Sequence, residues 1–401
     1  METLLSPLSV KVLGVGGAGL NAIHALKNKK LPHVSTLGLD TDLQNLQRFS
    51  GQETVFLGSK LTRGLSTGGN KDLGVEVAKA EAKALAEAVE GANLLFLIGS
   101  LGGGTGASIL PALAKIAAQT EALVIVFAIL PFSMEGAKKA QQSESSLAEL
   151  RSFANALIAL PNDLLLQQLD PQASVLDAFD LAHSWIYRAI RSMTGILFEP
   201  GLINLDFATL RQVFTQKGTK TLFALGEGRG EKALEQSLAE IRACPLLHVT
   251  EQSRQADNLL VQVIGGKDLS IQTINSILSF LNEYFGNGHK ICLGALIQDN
   301  LSDRLEICIV GTSDRAVLQK NTNSLRSFAS ANAALESPKT GTKVLKKWLN
   351  LKEDKQEEFQ FVSQGQVRGY FDETDRNHCD GADLDVPTYL RLGIKIRHEV
   401  Q

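Results

Sequence analysis

Cysteine is scarce in this 401-residue chain: Cys244, Cys292, Cys308 and Cys379 lie far apart, and no two form a CxxC pair. That spacing argues against a disulfide framework and a zinc ribbon, and it fits a reducing compartment. No apolar run approaches the ~20 residues that a membrane-spanning helix needs. The first residues carry no basic segment ahead of a small-residue cleavage site, so neither export nor a membrane span is expected. Charge of neither sign dominates, since 40 Lys+Arg against 43 Asp+Glu leave a net −3. Such a balance gives no general attraction for nucleic acid. A composition that is 44% hydrophobic and 21% charged then describes a cytoplasmic globular protein with core enough for one large domain or two to three ordinary ones.

Glycine, in contrast, is abundant at 35 residues and concentrates at the ends of apolar runs. The runs 9–13, 35–39, 93–99, 123–130 and 155–160 are continuous, as strands buried on both faces of a parallel sheet require. Helical patterns separate them at 19–29, 71–90, 107–119 and 135–153, which predicts a doubly wound α/β domain over 1–172. A long amphipathic helix is expected over 173–197. A smaller α/β domain should follow over 198–313, with strands at 220–225, 258–264, 290–297 and 304–311 and two helices on one side. From 314 to 382 the hydrophobic density collapses, as in a flexible linker. Residues 383–401 become apolar again within DLDVPTYLRLGIKI (383–396), which reads as a docking peptide or as a strand that packs back on the chain.

Two glycine loops carry the chemistry. Gly14-Val15-Gly16-Gly17-Ala18-Gly19-Leu20-Asn21 follows the first strand and opens a helix, whose unpaired N–H groups and positive dipole end suit phosphate. By itself this GxGxxG, with Asp40 ending the next strand, fits a dinucleotide-binding unit equally well. The second loop, Gly102-Gly103-Gly104-Thr105-Gly106, lies at another strand-to-helix junction of the same sheet. Two sets of backbone donors on one crevice suit a polyphosphate held from both sides. An oxidoreductase reading leaves this second loop unexplained.

With GGGTG at 102–106 the chain resembles the tubulin/FtsZ superfamily, and within it the bacterial FtsZ proteins. VKVLGVGGAGLNA (10–22), LDTDLQNL (39–46), LPFSMEGAKKAQQSE (130–144), ALPNDLLL (159–166), EPGLINLDFATLRQVF (199–214) and DVPTYLR (385–391) carry the same resemblance. It implies a GTPase domain and a smaller C-terminal domain joined by a long central helix. It also implies GTP or GDP, with Mg²⁺, as ligand, and head-to-tail protofilaments that build a division ring. Gly16 to Asn21 and Gly102 to Gly106 would then hold the phosphates, and Gly68 and Gly69 would sense the γ-phosphate. Glu135 would meet the ribose; Lys139, Asn162, Phe179, His183 and Ser184 would complete the nucleotide site. Asn204 and Asp206 would enter the next subunit's site as catalytic residues. The tail 383–396 would bind a membrane-tethering partner of the FtsA kind.

The resemblance breaks at chemical positions. FtsZ reads NxDxxD where this chain has Asn204-Leu205-Asp206-Phe207-Ala208-Thr209, so threonine replaces the second carboxylate and slow hydrolysis is expected. FtsZ reads FxxxND where this chain has Phe179-Asp180-Leu181-Ala182-His183-Ser184, so guanine loses its carboxylate partner unless His183 compensates. Lys139 stands for arginine, Leu20 for glycine, and Asp40 for asparagine. Asp40 is either a turn cap or a carboxylate repelling phosphate. A non-hydrolysing paralogue that joins another FtsZ's filaments is the alternative function.

Overall fold

In the computed structural model the described residues are 8–313, save 30, 50, 167–168, 171, 200, 248–255, 287 and 302, together with 378–379 and 382–383. The expected linker and docking peptide lie outside these residues, apart from a short antiparallel pair, His378–Cys379 with Ala382–Asp383.

The first part of the chain alternates as its periodicity requires. Six strands are formed by β1 (Val10–Val15), β2 (Val34–Asp40), β3 (Thr54–Phe56), β4 (Leu94–Ser100), β5 (Leu123–Leu130) and β6 (Ala156–Pro161). They lie in the order β3-β2-β1-β4-β5-β6, all parallel. The chain therefore leaves β1 toward one side of the sheet and returns to β4 on the other. Ligands of such sheets bind in the crevice outside the strand ends at this switch point. Both glycine loops stand there, after β1 and after β4.

The helices are α1 (Gly16–Asn28), α2 (Leu43–Arg48), α3 (Ser59–Thr62), α4 (Lys71–Ala80), α5 (Ala82–Val89), α6 (Gly104–Ala117), α7 (Ala137–Phe153) and α8 (Asn162–Leu166). α2, α3 and α8 add to the four expected helices, and three of those four differ from expectation. α1 and α6 start inside their glycine loops, at Gly16 and Gly104, rather than after them. The single helix expected over 71–90 is two, broken at Glu81, whose carboxylate turns away to accept the Gly58 N–H at 2.9 Å.

The long helix α9 (Val175–Phe198) is closed at its start by a capping box between Ser174 and Asp177. Beyond it come α10 (Phe207–Val213), β7 (Lys220–Arg229), α11 (Ala233–Ala243), β8 (Asn258–Gly265), α12 (Ile271–Phe285), β9 (Lys290–Ile297) and β10 (Arg304–Ser313). The second sheet is mixed, in the order β7-β10-β8-β9. α11 fixes itself to it through the Ser237 hydroxyl, which donates to Leu305 O at 3.2 Å. α12 lies beside α11, with Arg242 over the Phe280 ring at 5.0 Å. One apolar core runs from Leu20 and Phe127 through Trp185 of α9 to Phe223 and Leu259, so the inner face of α9 belongs to a core shared by the two sheets. A second core, with Val77, Leu97 and Leu113, fills the other face of the first sheet.

Candidate functional site

The site is built by close backbone packing. A Cβ on Gly19 would stand 2.6 Å from Gly14 C and from Ile98 O, so α1 can start directly against β1 and β4 only with glycine there. Gly16, at φ +69°, makes the turn. On the second loop, a Cβ on Gly104 would meet Thr67 Oγ1 at 2.4 Å and the backbone of Asn70 at 2.8 Å. Segment 66–70 is thereby laid against the start of α6. Gln142 and Ser146 of α7 hold this loop from outside, donating to Gly103 O at 3.3 Å and Ala107 O at 2.7 Å.

The result is one cavity of about 370 Å³ lined by Gly16 to Ala18, by Ser66, Thr67 and Gly69, and by Gly103 to Gly106. The first-turn N–H groups of two helices, 13 and 14 residues long, open on it. A helix lacks partners for these donors within itself, and their dipoles favour an anion. Three buried hydroxyls knit the walls together. Thr41 Oγ1 lies 2.7 Å from Thr105 Oγ1, which lies 3.4 Å from Thr67 Oγ1. The β2–α2 turn, segment 66–70 and α6 thus share one hydrogen-bonded knot.

Asp40 and Asp42 also line the cavity, together with Asn45. Asp40 is buried at 2% exposure. Its Oδ1 accepts the N–H groups of Thr41 and Asp42, and its Oδ2 accepts the Asn45 side-chain amide at 2.6 Å. Burial pushes its carboxyl above the usual range, and these hydrogen bonds offset that only in part. Both readings of Asp40 therefore meet in one residue, which caps the turn and also faces the cavity. Asp42 caps α2 by accepting the Asn45 N–H at 3.1 Å. Asp42 and Asn45 were not singled out from the sequence, although LDTDLQNL contains both. Strand-end spacing marks Asp40 alone, because the other two reach the cavity only through the turn that follows.

The candidates described next do not line this cavity. Leu20 is fully buried and packs over Gly38, so its side chain belongs to the core. Gly102 sits beneath Pro131. Glu135 accepts the Phe132 N–H at 2.8 Å and pairs with Lys139 at 2.9 Å. Burial raises its carboxyl, but Lys139 and that N–H outweigh burial and hold it below the usual range. Phe132 in turn meets the Phe179 ring, centroids 6.0 Å apart, so the start of α9 is joined to the segment that bears Glu135. Asn162 is buried at the start of α8. His183 is half-buried, 3.9 Å from Asp180; burial lowers its pKa against the opposing pull of Asp180, which leaves a neutral imidazole at pH 7.

Asn204 and Asp206 are exposed in the turn after α9, which Ile203 pins to Ala295 of β9 by two backbone hydrogen bonds. They line another cavity with Thr209, and it shares no residue with the one between the glycine loops. Within one chain these two groups of candidates are not brought together.

Residues 9–170 match the Tubulin/FtsZ family GTPase domain, and 219–313 match the FtsZ family C-terminal domain. Among solved structures the chain is similar to an empty FtsZ dimer from M. jannaschii, with 29% identity and TM-score 0.71 over 78% of this chain and 90% of that one. A single-residue variant of the same FtsZ is 30% identical, with TM-score 0.70 over 77% and 92%. A GTPγS-bound CetZ2 protofilament from Haloferax volcanii shares the fold, with 20% identity and TM-score 0.63 over 80% and 100%.

Proposed function

Since the chain belongs to the tubulin/FtsZ family, we propose that it binds GTP or GDP, polymerises head to tail, and builds a cytoplasmic division ring with weakened hydrolysis. A GTPase fold comes with the family; what this chain makes of it is read from its own residues. One observation carries the proposal: the glycine cavity and the exposed Asn204–Asp206 turn are both well formed, yet they stand apart. A site whose halves are separate in one chain is completed when the turn of one subunit meets the cavity of the next.

The cavity suits a nucleotide's phosphates. Backbone N–H groups of Gly16 to Ala18 and of Gly103 to Gly106 would hold them, and Gly69 would face the last phosphate. Mg²⁺ would supply the positive charge that the lining residues lack, since its charged side chains are the carboxylates Asp40 and Asp42. Glu135 would take the ribose, and Phe179, beside Phe132, would take the base. Exposed Leu65, Met134 and Leu176, with Leu202 and Ile203 in the other turn, are the apolar groups that contact between subunits would cover. Among the described residues no helix is long and apolar enough to cross a membrane, so membrane attachment is assigned to an FtsA-like partner held by 383–396.

The test follows phosphate release and light scattering together, with GTP or ATP and Mg²⁺. Scattering that rises with GTP and not ATP, with slow phosphate release, is expected. Neither signal with GTP would overturn self-assembly. The second reading, a non-hydrolysing paralogue within another FtsZ's filaments, draws support from the engagement of Asp206 by Thr209. It predicts that scattering returns only when an active FtsZ is added.

A further inference from the structure

Segment 66–70, which leads from α3 toward α4, is fastened at both ends and open at its tip. At one end the Ser66 N–H donates to Thr41 O at 3.2 Å, and Leu65 bridges to Asp42. At the other end the Asn70 side chain caps α4 by accepting the Asp72 and Leu73 N–H groups. Gly68 and Gly69 between them take left-handed backbone, at φ +59° and +78°, and a Cβ on either would meet nothing within 4 Å. Ser66 takes the same region at φ +63°, which a residue with a side chain keeps only where its surroundings impose it.

Thr67 is the anchor that imposes it. Alone among these five residues it is buried, at 4% exposure. Its hydroxyl meets Thr105 Oγ1 at 3.4 Å, and Thr105 is held in turn by Thr41 Oγ1 at 2.7 Å. The Asn70 N–H donates to Thr67 O at 3.0 Å, so the residue anchored by the hydroxyl also closes the turn that carries both glycines. The contact at 3.4 Å is the longest of these links and the first to give, so parting Thr67 from Thr105 is how the segment would open.

We propose that Thr67 is a positioning residue, whose hydroxyl holds segment 66–70 against α6 before any ligand arrives and so presents Gly68 and Gly69 to the last phosphate of a nucleoside triphosphate. The proposal rests on the nucleotide reading of the glycine cavity and goes beyond it, because it assigns the preference for triphosphate over diphosphate to one hydroxyl. A diphosphate does not reach the segment, so its affinity is indifferent to whether the segment is held. A triphosphate gains its last contacts only from the held form, and its apparent affinity scales with the fraction held. Loss of the hydroxyl therefore weakens the triphosphate more than the diphosphate, whereas a general loss of stability would weaken both alike.

Competition of GTPγS and GDP, with Mg²⁺, against a fluorescent GDP on the full chain gives the ratio of their affinities. The wild type should prefer GTPγS. Thr67→Ala should lower that preference by about threefold or more, the effect of one hydrogen bond. Thr67→Ser, which keeps the hydroxyl and lacks the methyl group, should retain it. Melting curves check that both variants are folded. Hydrogen exchange needs no variant: in the nucleotide-free wild type the Ser66 and Asn70 amides should already be protected, and GTPγS should add little. A wild type without preference, an unchanged ratio in a folded Thr67→Ala, an equal fall in Thr67→Ser, or amides protected only once GTPγS is bound would each overturn the proposal and leave nucleotide binding standing. A wild type that binds neither nucleotide would overturn the nucleotide reading itself, and this assignment with it.

Discussion

The Asp206 carboxylate accepts the Thr209 N–H at 2.7 Å, closing the first turn of α10 upon the residue that precedes it. The Thr209 hydroxyl engages the same carboxylate, and together they hold Asp206 below the usual carboxylate range. Asp206 therefore stays ionised, yet part of its accepting capacity is spent within its own helix cap. An aspartate at 209 would keep the N–H cap but replace the hydroxyl that engages Asp206 with a second carboxylate.

Thr209→Asp is accordingly expected to raise phosphate release per filament by about 10²-fold, the lower end of what one positioned acid–base group contributes. Asp206→Asn in that background should remove the gain. Phosphate release normalised to pelleted protein makes the measurement; unchanged turnover would show that position 209 does not limit hydrolysis.

The two central glycines of the second loop should fail differently. A Cβ on Gly103 meets nothing within 4 Å, whereas one on Gly104 overlaps Thr67 Oγ1 and the Asn70 backbone. Gly104→Ala should cost about 1–3 kcal/mol, as overpacking does, and displace segment 66–70. Gly103→Ala should melt within about 0.5 kcal/mol of wild type while binding nucleotide about tenfold more weakly, about 1.4 kcal/mol. Thermal melts beside fluorescent-nucleotide titrations separate these outcomes.

Asp40 should make nucleotide binding depend on pH and on cations. Its carboxyl is raised by burial, so the folded protein favours the neutral form. The stability this confers is complete below the unfolded carboxylate range and is lost as pH rises through the raised folded value. Above that value a buried negative charge faces phosphate. Nucleotide affinity should fall as pH rises through that window, most steeply without Mg²⁺. Asp40→Asn should bind nucleotide more tightly at neutral pH and flatten the profile relative to wild type, which corrects for titration of the phosphates themselves. A profile left unchanged by Asp40→Asn, from the ordinary carboxylate range up to neutral pH, would show that Asp40 does not face the phosphates.

Most strands of both sheets are legible because continuous apolar runs of five to eight residues have few other uses. β3 is not, since three residues carry no periodicity. The break at Glu81 is hidden for another reason: an Ala/Glu/Lys-rich run reads as one helix until Gly58 is seen to claim the Glu81 carboxylate. The glycine cavity could be anticipated from GGGTG, because that pattern at a strand end leaves backbone donors exposed. The hydroxyl knot of Thr41, Thr67 and Thr105 could not, since threonines 26 and 38 residues apart in sequence give no sign of sharing protons.

If Phe179, His183 and Ser184 take the base as proposed, that site should discriminate poorly until a carboxylate is returned to it. Ser184 follows His183 on the helix that begins beside Phe179, and the neutral imidazole can offer one donor or one acceptor but no charge. Guanine presents two adjacent donors that a carboxylate pairs at once, while adenine presents none in that arrangement. Ser184→Asp should therefore raise the preference for GTP over ATP by about tenfold or more, since a buried polar partner left unpaired costs about 1–3 kcal/mol. Competition of GTP and ATP for a fluorescent nucleotide gives the ratio directly. His183→Ala in the wild-type background should leave the ratio unchanged if the imidazole only packs. A further fall would identify it as the group that still reads the base.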